Sequence, residues 1–104
     1  MLGGEGRDAI PARIEREMAA SVAEFEHGLR LGAPGEVSVL GDGHYRVVHE
    51  GVTLDIHIRL HGQRCLGALA IGLLWVVYEF HGGEPQARRA LLTRLDVAML
   101  RGGG

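Results

Sequence analysis

Val52-Thr53-Leu54-Asp55-Ile56-His57-Ile58-Arg59-Leu60-His61 alternates apolar and polar residues without a break. A period of two puts successive side chains on opposite faces, so this stretch reads as a strand with one dry face and one wet face. Leu66 to Phe80 follows as an almost unbroken apolar run, interrupted by Gly67 and Gly72. It falls short of the ~20 residues that span a bilayer, so it reads as sheet interior with both faces dry, and no membrane segment is expected.

Turn residues on either side set the pairing. A two-residue turn at Glu50-Gly51 places Val47 opposite Leu54 and Tyr45 opposite Ile56, with Arg46 opposite Asp55 and His44 opposite His57. Both faces then match chemically, and a slip by one residue would spoil both. Gly41-Asp42-Gly43 returns the chain from an earlier strand containing Val37 and Val39. A turn at Gly62-Gln63 would set Cys65, Gly67, Leu69 and Ile71 opposite Leu60, Ile58, Ile56 and Leu54. Gly72-Leu73 would then turn the chain again, or Gly72 would be a bulge in one long bent strand.

Two helices are expected outside the sheet. Ile10, Ile14, Met18, Val22, Phe25 and Leu29 recur at steps of four and three, and Asp8 and Pro11 suit a helix start. Gly82-Gly83-Glu84-Pro85 opens the second, whose apolar side is Leu91, Leu92, Leu95, Ala98 and Met99. Residues 1–7 read as a flexible leader and 102–104 as a flexible tail. The expected architecture is one α+β domain over 1–104: an N-terminal helix, an antiparallel four- or five-stranded meander and a C-terminal helix, with both helices on one face of the sheet.

Composition removes several chemistries. All eleven basic residues are arginine, so a Schiff-base lysine and the lysine of a phosphate-binding loop are impossible. A formal net charge of −2 supplies no general attraction to nucleic acid or anionic lipid. The lone Cys65 cannot form an internal disulfide, and no secretory signal pattern opens the chain, so a cytoplasmic location is expected.

Two features remain as candidate sites. His44, Asp55 and His57, joined by Arg46 across the hairpin, fall on one face, where two imidazoles and a carboxylate could hold a divalent metal or act as acid and base. No other cofactor is implied, and no nucleophile with a base beside it can be located, so the chain reads as non-enzymatic. The second feature follows from the turn at Gly72, which brings Leu66, Ala68 and Ala70 against Glu79, Val77 and Trp75 on the back of the sheet. Leu66, Ala68, Ala70, Trp75 and Val77 would then form an apolar interface for a homo-oligomer or a partner protein.

Overall fold

The computed structural model describes residues 9–102, so the expected leader, the helix start at Asp8 and, of the expected tail 102–104, residues 103–104 lie outside the described residues, while Gly102 is the last residue of a helix and not tail. The elements in chain order are β1 (Arg13–Ala19), α1 (Val22–Gly32), β2 (Ser38–Gly41), β3 (His44–His49), β4 (Val52–Leu66), β5 (Leu69–His81) and α2 (Pro85–Gly102). The strands form one antiparallel sheet in the order β1-β5-β4-β3-β2. The α+β class and the antiparallel sheet agree with the sequence reading.

The pairing of β3 with β4 is the expected one, with Val47 opposite Leu54, Tyr45 opposite Ile56, Arg46 opposite Asp55 and His44 opposite His57. Along β4 and β5 the even-numbered residues from Leu54 to Ile58 and from Leu74 to Phe80 face one side and are buried there. Both helices cover that side. Phe25 and Leu29 of α1 and Leu91, Leu92 and Leu95 of α2 complete a core with Tyr45, Val47, Leu54, Ile56, Val76 and Tyr78. The helices approach closely at Gly28 and Gly32, where an added Cβ would lie 2.6 Å from Met99 Sδ and 2.8 Å from Ala98 Cβ respectively. At Gly32 the Arg94 carbonyl oxygen and Leu95 Cα also lie at 3.2 Å, so α2 leaves no room for a side chain there, whereas at Gly28 the neighbour is the flexible end of Met99.

Two expectations are corrected. The long N-terminal helix is divided: residues 13–19 form edge strand β1, and a helix begins only at Val22. Its Ile10, Ile14 and Met18 are four apart, an even step that serves a strand as well as a helix. The first step of three, Val22 to Phe25, falls where α1 actually starts. Ser21 caps that start by accepting a hydrogen bond from the Glu24 amide, and the Glu24 carboxylate accepts one from the Ser21 amide. This reciprocal capping box was written in the sequence as Ser-x-x-Glu.

The second correction concerns the central hairpin. Neither Gly62-Gln63 nor Gly72-Leu73 turns the chain; the turn is at Gly67-Ala68, between strands that are 15 and 13 residues long. Leu54 therefore meets Phe80 instead of Ile71, and Leu60 meets Leu74. Gly62, with φ of +90°, sits in a register shift between Leu60 and Gln63, where β4 carries one residue more than β5. It is a bulge, and the positive φ suits glycine. Gly72 lies within β5, so the alternative of one long strand across it describes β5 better than a turn does.

Candidate functional site

The face of the sheet away from the helices carries two kinds of surface. Across β3, β4 and the C-terminal half of β5 it is charged. Arg46 Nε donates to Asp55 Oδ1 at 2.9 Å and its Nη2 to Oδ2 at 3.2 Å, while His44 Nε2 lies 3.2 Å from Oδ1 and His81 Nε2 3.4 Å from Oδ2. These neighbours leave the Asp55 side chain only 9% exposed. Burial alone would raise its pKa, but the hydrogen bonds from Arg46 and His44, with their charges, outweigh it and hold the carboxyl below its ordinary value.

His44, Asp55 and His57 are neighbours, as expected, but they do not converge on one point. The His44 and His57 rings stack with centroids 4.0 Å apart, and His57 Nε2 turns toward Glu79 Oε1 at 3.8 Å. Among the described residues no group of three or more His, Cys, Asp or Glu side chains is arranged to hold a metal ion. His81 joins Asp55 although the sequence reading left it out. It reaches the site because Thr53 pairs with His81, a register hidden by the misplaced turns.

Toward β1 the same face becomes an ion-pair ladder around the only tryptophan. Arg13 donates to Glu79 at 2.6 Å and to Glu15 at 3.0 Å; Trp75 Nε1 donates to Glu15 Oε1 at 3.1 Å. The hydrogen bonds from Arg13 and then Trp75 hold the Glu15 carboxyl below its ordinary value. Glu17 lies 3.5 Å from His61 Nε2 and 3.6 Å from Arg64, and the His61 ring sits 5.3 Å from that of Trp75.

Beyond Trp75 the residues of β5 are all apolar, β4 still carries Gln63 and Arg64, and the hairpin leaves the body of the protein. β3 pairs with β4 only as far as His57, and β1 accompanies β5 only as far as Leu73. From Gln63 to Ile71 the hairpin projects as a two-stranded arm, and every residue from Arg59 to Ala70 is exposed. Leu60, Leu66 and Leu69 are 74%, 56% and 67% exposed. The described residues measure 53 × 28 × 21 Å, with a radius of gyration of 14.6 Å against about 13 Å for a compact chain of this length.

The expected interface residues are divided between the base of the hairpin and its arm and do not make one patch. Trp75 and Val77 share the open face but are flanked by Glu17 and Arg59, and by Glu15 and His57. Leu66 lies at the far end opposite Leu69, Ala68 is in the turn, and Ala70 pairs with Cys65 and alternates to the other face. The expected contacts of Leu66, Ala68 and Ala70 with Glu79, Val77 and Trp75 are replaced by these because the strands turn at Gly67. Leu69, Ile71 and Leu73, which the sequence reading did not assign to the patch, extend the Trp75–Val77 stripe by strand alternation.

The sequence matches no protein-family model and no curated protein. No helix of the described residues is long and apolar enough to cross a membrane.

Proposed function

We propose that this chain is a non-enzymatic assembly module, which uses the β4–β5 arm and the apolar stripe at its root to associate with itself or with a partner protein. The observation that carries the reading is the exposure of Leu60, Leu66 and Leu69 on an ordered arm. A two-stranded hairpin in water is only marginally stable, and each large apolar side chain left in solvent forfeits about 1.5–3 kcal/mol of burial. Cover by another chain supplies both the missing strand neighbours and the missing burial.

Light scattering on the full chain across a range of concentrations tests this. A defined oligomer that Leu66→Ser with Leu69→Ser disperses is the expected result, and a chain monomeric at every concentration with no captured partner overturns it.

The proximity of His44, Asp55 and His57 favours a second reading, a small acid–base or metal site. Arg46 occupies both Asp55 oxygens and His57 leans on Glu79, which weighs against it. Metal content and histidine titration of the same preparation distinguish the two readings.

A further inference from the structure

Resting on the assembly reading, we infer that the partner is a second copy of this chain, joined edge to edge through β5 with Ala70 on the two-fold axis. The backbone identifies the residue. The Ala20 amide donates to the Gly72 carbonyl at 3.1 Å, and the Phe80 amide to the Ala12 carbonyl at 2.8 Å. Even-numbered residues of β5 thus turn their N–H and C=O groups toward β1. Odd-numbered residues turn theirs toward β4. By this alternation Ala70 directs both groups outward at a place where β1 has already ended, and no described strand meets them. The Gly72 carbonyl is already taken by the Ala20 amide, so the pairing is confined to Leu69, Ala70 and Ile71, and Ala70 is the free pair of groups next along the edge.

Antiparallel pairing about Ala70 lets each copy's Ala70 amide donate to the other's Ala70 carbonyl. The neighbouring positions then place Leu69 opposite Ile71 of the second copy, twice over, on the same face as Trp75. Both pairs are apolar, and Ala70 itself is small enough to sit on the axis.

Charge selects this edge over the other. No charged residue lies between Arg64 and Glu79, and no proline interrupts that run, so nothing opposes an identical strand. The free edge of β4 instead carries Arg59, His61 and Arg64 and is kinked at Gly62, features that block edge pairing. An uncharged, unpaired edge meeting its own copy is closed by two-fold symmetry and leaves no further site for growth.

The test is Ala70→Pro in the full chain. The substitution deletes an amide that the chain does not use internally, on an edge where proline is tolerated, so the circular dichroism should stay unchanged while the mass by light scattering halves. A nitroxide at Ala70→Cys, in a Cys65→Ser background, gives a second readout independent of that variant's folding. Cβ atoms facing each other across the axis are about 5 Å apart, so the spectrum should be strongly broadened and should sharpen on dilution with unlabelled chain.

A dimer that survives Ala70→Pro but is dispersed by Leu66→Ser with Leu69→Ser, with no broadening of the nitroxide signal, overturns the edge pairing and leaves the assembly reading standing. A chain that is monomeric throughout and captures no partner overturns both. A chain that is monomeric alone but forms a stoichiometric complex with a different protein overturns the second copy as partner only.

Discussion

The two halves of the β4–β5 hairpin have the same backbone and opposite surroundings. From Val52 to Ile58, and from Leu74 to Phe80, the alternation places apolar side chains under two helices and leaves them at most 8% exposed. From Gln63 to Ile71 the same two strands run on with no third described strand paired to either. Strand formation is thus insensitive to cover, but the energetic consequence of each leucine depends on it entirely. Leu54 and Leu69 are both strand leucines, and they should behave as different residues.

The largest effect belongs to the base. Leu54→Ala removes a fully buried side chain from the middle of the core and should cost about 2–5 kcal/mol, read as a fall in the urea midpoint. If the loss is near that of an exposed leucine, the division between base and arm is wrong.

An intermediate effect belongs to the charged surface over the base. Asp55 is nearly buried and its folded pKa is held down, so it contributes stability above the ordinary carboxylate range and loses that contribution as pH falls through the folded value. Asp55→Asn keeps the shape but loses the charge that Arg46 and His44 face. It should cost about 1–2 kcal/mol at pH 7 and flatten the acid limb of the stability curve below about pH 4. An acid limb unchanged by the substitution would place the acid sensitivity elsewhere.

The smallest effect belongs to the arm. Leu69→Ser, measured on dissociated chain at high dilution, should change unfolding stability by less than about 0.5 kcal/mol. The same substitution measured at concentrations that favour association should act through the oligomer, and the contrast between the two conditions sharpens the comparison.

Legibility from sequence follows the same division. The β3–β4 register could be written out residue by residue because each pair had to satisfy two chemically distinct faces, with Arg46 meeting Asp55 on one and Val47 meeting Leu54 on the other. From Leu66 onward the residues are apolar on both faces, so no register violates the pattern. The glycines were then the only punctuation, and of Gly62, Gly67 and Gly72 only Gly67 marks the turn. The candidate site inherited that error. His44, Asp55 and His57 were found together because they lie in the well-specified part, whereas His81 and the stripe through Leu69 and Ile71 depended on β5. The division of the first helix was recoverable from Ser21 and Glu24, whose spacing marks a helix start in the middle of the supposed stripe.

Trp75 stands where the ion-pair ladder gives way to the arm, with Glu15 bonded to its indole nitrogen and His61 tilted against its ring. As the only tryptophan in the chain, it makes ultraviolet emission a one-residue signal from that junction. An imidazole ring held against an indole quenches its fluorescence, so the emission should brighten in His61→Gln. The protein thus carries an intrinsic optical gauge at the root of its arm, readable without a label.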